Sequence, residues 1–177
     1  MHKINNAIGI LGGSFDPPHK GHLRISKIVL RKLNLKKIYW IVTKKSPFKG
    51  KPFFSINQRI KKCRKITKKD KKINIKYLDD IVKSSRTIKI LKYFIKKNQK
   101  NKIYLVIGSD NLIYFHKWLD WEKILKICKL VIFPRKGFDI KARKSRIMRQ
   151  VKRENIIFIK SQKIDISSTK LKKYYKN

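Results

Sequence analysis

Between residues 12 and 22 the sequence reads Gly-Gly-Ser-Phe-Asp-Pro-Pro-His-Lys-Gly-His. The run before it, Ala7 to Leu11, is short and apolar, which predicts a buried strand. After it, apolar residues recur at helical spacing from Gly21 to Leu33, which predicts a helix. Two glycines directly after a strand allow close approach of the backbone to a ligand and a positive φ. The stretch is therefore typical of a strand-to-helix turn that contacts a phosphate.

The alternation of strand and helix continues along the chain. Short β-branched runs predict strands at 7–11, 38–42, 73–75, 102–107, 130–133 and 156–159. Periodic apolar segments predict helices at 21–33, 56–67, 87–95, 110–115, 121–127 and 140–151, and a last helix begins near Ser168. This order predicts an α/β fold, a parallel sheet with helices on both faces, in one domain over residues 1–177. Ligands of such sheets bind beyond the carboxyl ends of the strands.

Composition excludes several classes of protein. The 177 residues are 41% hydrophobic, which is enough for a sizeable core. No run approaches the ~18 apolar residues that a membrane-spanning helix needs, so we expect no membrane partner. The apolar stretch near the N-terminus is too short for a signal peptide. With Cys63 and Cys128 as the only cysteines, we expect two free thiols and a cytoplasmic location.

The formal net charge of +39 invites a nucleic-acid-binding interpretation, because clustered cations release counterions from a phosphate backbone. The lysines are nevertheless spread over the whole chain, and they accompany 29 Ile and only 2 Ala. An AT-rich genome imposes such a composition whatever the function. The densest cluster, Lys141 to Arg153, contains no aromatic residue on which a base could stack. We therefore expect no specific nucleic-acid partner, and keep a basic nucleic-acid-binding protein as an alternative.

Two of the four histidines, His19 and His22, lie three residues apart where the first helix begins. Both side chains can face one point, and the free N–H groups of a helix start attract phosphate there. Metal binding by the pair is an alternative, but no Cys and few carboxylates stand nearby to complete a zinc site. The turn is neither Gly-x-Gly-x-x-Gly nor a Walker loop, which argues against dinucleotide oxidoreductases and P-loop enzymes.

A second motif, Asp165-Ile166-Ser167-Ser168-Thr169-Lys170-Leu171-Lys172, lies near the end of the chain. By itself it reads as an N-cap, because Ser and Thr before a helix accept hydrogen bonds from its first N–H groups. The same hydroxyl and N–H groups can also hold a phosphate.

Together the two motifs resemble those of the nucleotidyltransferase superfamily, whose signature is His-x-Gly-His. The resemblance implies a Rossmann-like nucleotidyltransferase fold and catalysis by His19, His22 and Lys172. Lys172 stands where the superfamily has Arg. The ATP contacts that the resemblance implies are Gly12, Gly13, Ser14, Phe15, His19, His22, Gly108, Asp110, Ile166, Ser167, Ser168 and Lys172.

Features between the motifs resemble the nicotinate-nucleotide adenylyltransferase family. They are Gly108-Ser109-Asp110 after the strongest predicted strand, Trp118, the Phe133-Pro134-Arg135-Lys136-Gly137 turn, Ser46-Pro47-Phe48-Lys49 and Ser85-Arg86-Thr87. The resemblance implies that Trp118 stacks on a nicotinate ring and that Arg135 contacts a substrate phosphate. The implied substrate-binding set is Ser46, Lys49, Thr87, Trp118 and Arg135.

The activity that this resemblance implies is transfer of AMP from ATP to nicotinate mononucleotide. A Mg²⁺ ion would accompany the triphosphate, held by phosphate oxygens and water, with no protein residue as its ligand. The second enzyme that the histidines fit is a phosphopantetheine adenylyltransferase, which has no need of Trp118 or of the Gly108 to Asp110 arrangement. Oligomeric state and preference for nicotinate over nicotinamide stay open at this point.

Overall fold

The computed structural model describes residues 6–44, 50–97 and 101–160. Six strands lie in these segments: β1 Ala7–Gly13, β2 Lys37–Val42, β3 Ile73–Tyr77, β4 Lys102–Gly108, β5 Lys129–Phe133 and β6 Ile156–Phe158. Seven α-helices accompany them: α1 Lys20–Lys32, α2 Ile56–Thr67, α3 Thr87–Lys97, α4 Ser109–Ile113, α5 Trp121–Ile127, α6 Asp139–Arg143 and α7 Arg146–Gln150. Short 3₁₀ turns cover Phe115–Lys117 and Arg153–Asn155.

The strands form one parallel sheet in the order β3-β2-β1-β4-β5-β6. The register pairs Leu11 with both Trp40 and Val106, so β1 lies at the centre of the sheet. From β1 the chain proceeds outward through β2 to β3, and then returns to the other side of β1 as β4. The α/β prediction of a parallel sheet with helices is therefore confirmed.

Two hydrophobic clusters cover the two faces of the sheet. Alternation along β1 sends Ile8 and Ile10 to one face and Ala7 and Leu11 to the other. The first face packs against α3, α4 and α5, and the second against α1 and α2. Gly9 is required at the second face because a Cβ there would lie 2.9 Å from Leu35 Cδ1.

One predicted helix is wrong in detail. The segment 140–151 forms two short helices, α6 and α7, with a break at residues 144–145. Ser145 has an extended backbone (φ −68°, ψ 156°), and its buried hydroxyl donates to the carbonyl of Ala142. The apolar spacing of this segment does not encode the break, because the break depends on a hydrogen bond that the serine makes.

Within the described residues, no helix combines the length and the apolar character that crossing a bilayer requires.

Candidate active site

The carboxyl end of the sheet carries the first motif, the Gly108-to-Asp110 turn and the turn that contains Arg135. β1 ends at Gly13, β4 at Gly108 and β5 at Phe133, and the register places these ends along one edge. Because the connections leave β1 and β4 in opposite directions, a crevice opens between these two strands, which is where ligands of this architecture bind.

The two histidines lie together at the start of α1. Their ring centroids are 3.8 Å apart, and the backbone N–H of His19 donates to Nδ1 of His22 at 3.2 Å. Since Nδ1 accepts this bond, a neutral His22 carries its proton on Nε2. His19 is buried, with 7% of its surface exposed. The pair thus presents preorganised imidazoles beside the N–H groups of the first helical turn.

Phe15 and Trp40 support the histidines from beneath. Phe15 stacks on Trp40 with ring centroids 4.9 Å apart, and it contacts the His22 ring at the same distance. The indole of Trp40 donates to Ser26 Oγ, which donates in turn to the carbonyl of His22. Both aromatic side chains are buried, so any contact between Phe15 and a nucleotide involves its backbone.

Gly12 and Gly13 do not have the positive φ that the sequence suggested. Gly12 and Gly13 continue β1, and the positive φ of this turn falls on Phe15, at 47°. A Cβ at Gly12 would meet no atom within 4 Å. The glycines therefore leave open space over the backbone, and Phe15, held by its ring contacts, makes the left-handed turn.

A second group lies at the ends of β4 and β5. Arg135 Nε is 3.3 Å from Asp110 Oδ1, an ion pair that is about one third exposed. Gly108 is required beneath this pair, because a Cβ there would lie 2.9 Å from Arg135 Nε and would collide with Asp110 Oδ1. Of the residues predicted from sequence, the structure thus brings Gly108, Asp110 and Arg135 into direct contact.

Asp139, which sequence reasoning missed, holds this second group in place. Its Oδ1 accepts a hydrogen bond from Ser109 Oγ at 2.8 Å and from the backbone N–H of Arg135 at 3.0 Å. Ser109 Oγ also lies 2.9 Å from the Arg135 backbone nitrogen. These bonds join the start of α4 to the turn after β5. An Asp in the first turn of a short helix reads from sequence as no more than a favourable helix start.

Trp118 and Thr87 occupy half-buried positions. Trp118 packs on Phe115 with ring centroids 5.1 Å apart, and its Nε1 is buried without a hydrogen-bond partner among the described residues. A bound polar group would satisfy that N–H. Thr87 is the first residue of α3. Trp121 is half-buried and packs against the core.

A cavity of about 370 Å³ opens between the end of β2 and the segment that leads to α3. Its lining includes Lys44, Asp79, Asp80 and Ser85. Lys44 Nζ is 3.0 Å from Asp80 Oδ1, and the hydrogen bonds that Lys44 and Tyr77 donate lower the pKa of Asp80. Asp79 is buried and accepts from the Lys44 backbone N–H at 2.7 Å, yet its burial raises the pKa of its carboxyl.

Asp16 and Arg59 lie beneath the turn that carries the histidines. Both oxygens of Asp16 accept backbone N–H groups, from Phe53 at 2.7 Å and from Phe54 at 2.9 Å. Arg59 is only 2% exposed, and sequence reasoning missed it because it lies inside a basic helix among many exposed cations.

Several predicted site residues lie outside the described residues. They are Ser46 and Lys49 in the segment after β2, and Ile166, Ser167, Ser168 and Lys172 in the second motif. Their roles remain predictions.

Within the part of the chain that the structure describes, no group of three His, Cys, Asp or Glu side chains could hold a metal ion. The nearby carboxylates are also engaged, because Asp16 accepts two N–H groups and Asp110 pairs with Arg135. This donor set fits a cation that arrives with the phosphates better than a cation held by a protein cage.

Comparison with known proteins identifies similar chains. A model of the cytidylyltransferase-like family matches residues 10–174. A Pelagibacter ubique (strain HTCC1062) protein named "Probable nicotinate-nucleotide adenylyltransferase" is 44% identical over 173 residues, covering 98% of this chain and 96% of that protein. An Aquifex aeolicus (strain VF5) protein of the same name is 34% identical over 164 residues, covering 90% of this chain and 98% of that one.

Solved structures share the fold. A Plasmodium falciparum nicotinic acid mononucleotide adenylyltransferase complexed with NaAD superposes with a TM-score of 0.75 at 21% identity. The match covers 95% of this chain and 83% of that one.

Proposed function

We propose that this chain, which belongs to the cytidylyltransferase-like family and within it to the nicotinate-nucleotide adenylyltransferases, transfers AMP from ATP to nicotinate mononucleotide. The products are nicotinate adenine dinucleotide and pyrophosphate, a step of NAD biosynthesis. The observation that carries the proposal is the His19–His22 pair, which lies at the start of α1 beside the crevice between β1 and β4.

The reaction forms one bond and breaks one bond. A phosphate oxygen of nicotinate mononucleotide attacks the α-phosphorus of ATP, and the bridging oxygen to the β-phosphate leaves with pyrophosphate. No activated Ser, Cys or Lys is expected to form a covalent intermediate. Burial raises the pKa of both Cys63 and Cys128 to about 12, which fits that expectation for the thiols. Catalysis then consists of positioning and of stabilising charge.

The phosphate-binding part of the proposal rests on the β1–α1 turn. His19 and His22 stabilise negative charge on the transferring phosphate, and the open space over Gly12 admits the triphosphate. Ser14 and Phe15 contribute through the backbone of the turn, while Gly108 and Asp110 contact the nucleotide. Ile166, Ser167, Ser168 and Lys172, which lie outside the described residues, are proposed to bind ATP. Lys172 keeps the charge that Arg has in the family but not its bidentate fork.

The acceptor part of the proposal rests on the edge formed by α3, α4 and β5. Trp118 offers a π-face to the nicotinate ring, and its buried N–H supports a polar group bound nearby. Arg135, steadied by Asp110 and Asp139, contacts the substrate phosphate. Thr87, Ser46 and Lys49 complete the set. The polar cavity beside Ser85 lies at the ends of β2 and β3, on the way to Thr87 at the start of α3.

The divalent ion of the proposal is Mg²⁺, which enters with ATP as part of the substrate. Bound to the phosphates of ATP, it would supply positive charge that offsets the negative charge of the pyrophosphate leaving group. We also propose that the reaction takes place in the cytoplasm, a location that the two buried free thiols support. A single domain over residues 1–177 carries both substrate sites, and no nucleic acid takes part.

A pyrophosphate-release assay tests the proposal. The purified chain receives MgATP with nicotinate mononucleotide, nicotinamide mononucleotide or phosphopantetheine in separate reactions. We expect release with nicotinate mononucleotide at the highest kcat/KM. Release with phosphopantetheine alone would overturn the assignment in favour of a phosphopantetheine adenylyltransferase. His19→Ala is the control that shows the release to be the work of this site.

A further inference from the structure

Arg59 is the one Lys or Arg that is buried among the described residues, in a chain that carries 49 of them. It lies in α2, on the helix side that faces the sheet with Cys63 and Thr67. Arg64 and Lys65 of the same helix are exposed. Desolvation of a guanidinium is costly unless its donors are satisfied, so a buried Arg in this chain calls for a specific set of partners.

The partners of Arg59 are four backbone carbonyls in three separate segments. Nη1 donates to Ser14 in the turn after β1 and to Thr43 after β2, at 2.5 and 2.7 Å. Nη2 donates to Lys44 at 3.3 Å, and Nε donates to Phe54 at 3.0 Å. One planar side chain therefore ties the histidine-bearing turn to the segment that leaves β2 and to the start of α2.

Two buried carboxylates compensate the charge of Arg59. Burial lowers the pKa of the guanidinium, and the negative charges of Asp16 and Asp79 oppose that effect. Each carboxylate also fixes backbone, since Asp16 accepts the N–H groups of Phe53 and Phe54, and Asp79 accepts that of Lys44. Arg59, Asp16 and Asp79 together fix the backbone beneath the carboxyl ends of β1, β2 and β3.

We infer that Arg59 is a positioning residue for the reaction, which fixes the Ser14-to-His19 turn relative to the segment after β2. In the terms of the proposed function, on which this part rests, it fixes the phosphate-binding turn, which carries His19, relative to the end of β2. Arg59 touches neither substrate. A lysine cannot replace it, because a single ammonium cannot span the carbonyls that the guanidinium fork reaches.

The test compares Arg59→Lys and Arg59→Met with Arg64→Met, a matched exposed position on the same helix. Each variant is assayed well below its own melting temperature, after circular dichroism has established that it is folded. We expect kcat to fall by ~10–100-fold in the Arg59 variants, since a displacement of about 1 Å costs this much. The KM values should change far less, and Arg64→Met should match the parent chain. A folded Arg59→Lys with the parent kcat would overturn the inference.

A double-mutant cycle with His22→Ala separates positioning from a loss of stability. If Arg59 acts through the histidines, Arg59→Lys costs much less kcat in the His22→Ala background than in the parent background. Equal costs in both backgrounds would contradict the inference.

A spectroscopic readout remains even if the proposed function fails. The ¹⁵N imidazole signals of His19 and His22 should shift in Arg59→Lys, while those of His116 stay in place. Absence of pyrophosphate release from the parent chain would overturn the proposed function alone. In that case unshifted histidine signals would overturn the positioning role of Arg59.

Discussion

The backbone and the ring of His22 make separate hydrogen bonds, and a substitution removes only the bond of the ring. The Ser26 hydroxyl bonds the backbone carbonyl of His22, which any residue at position 22 retains. The imidazole of His22 contributes the acceptor for the His19 N–H, a capping bond worth about 1 kcal/mol. Replacement of either ring should therefore leave the fold intact.

Alanine at position 19 or 22 removes a donor that stabilises the transition state. We expect kcat to fall by ~10²–10³ in each variant, the scale of losing one preorganised donor. Steady-state kinetics with MgATP and nicotinate mononucleotide measure the loss. Arg64→Met serves as the control, because Arg64 is exposed on α2. A variant at 19 or 22 with the parent kcat would assign that histidine a structural role.

Single residues were predictable where local sequence carries the signal. The histidine pair and the Gly108-to-Asp110 turn each lie within four residues, next to a strong strand. Arg59 and Asp139 were not predictable, because their partners lie far away in sequence: Arg59 bonds Ser14, and Asp139 bonds Ser109. In a chain with 49 basic residues, nothing local distinguishes the buried arginine.

At the scale of elements, the spacing of the apolar residues predicts most of the helices and strands. The helix predicted at 56–67 matches α2, and Ser55 caps it by accepting from the Gln58 N–H. The prediction of one helix over 140–151 is wrong because the Ser145 hydroxyl ends α6. The strand ends also run further than predicted, as β1 includes Gly12 and Gly13. Hydrogen bonds between neighbouring strands determine where each strand ends, and the spacing of apolar residues does not reveal those bonds.

The junction of β4 and α4 gives a prediction about Gly108. Gly108→Ala should displace the Asp110–Arg135 pair, because the new Cβ collides with Asp110 Oδ1 and lies 2.9 Å from Arg135 Nε. We expect the KM for ATP, which Asp110 is proposed to contact, and the KM for nicotinate mononucleotide, which Arg135 is proposed to contact, each to rise about tenfold, the equivalent of 1.4 kcal/mol of lost binding. Initial-rate kinetics measure this change.

Gly9→Ala is the contrasting variant for that experiment. Its Cβ would lie 2.9 Å from Leu35 Cδ1, inside the core and away from the carboxyl edge. Overpacking of this kind costs about 1–3 kcal/mol of stability. We expect a lower melting temperature with an unchanged KM. Equal KM values for Gly108→Ala and the parent chain would exclude a role of this junction in acceptor binding.

At the scale of the whole molecule, the sheet order places the site without reference to any one side chain. Because β1 lies between β2 and β4, the crevice opens between the strand that leads to the histidines and the strand that ends at Gly108. Alternating strands and helices predict such an edge in advance. The charge of +39 carries no comparable positional information, since the lysines are distributed over the entire chain. Its effect is expected on the rate of substrate capture.

The salt dependence of the reaction tests this effect of the charge. A positive field speeds the capture of anionic ATP by ~10-fold or more at low ionic strength, and salt screens it beyond ~10 Å at 0.1 M. We expect kcat/KM for ATP to fall as KCl rises, while kcat stays nearly constant. Sucrose in place of KCl is the control, and it should change kcat/KM only through the viscosity of the solution. Filter binding to random duplex DNA over the same series tests the alternative. A chain built for DNA should stay bound at moderate salt, whereas scattered lysines should release DNA at lower salt. Retention of DNA at moderate salt together with a salt-independent kcat/KM would identify the charge as a nucleic-acid-binding property.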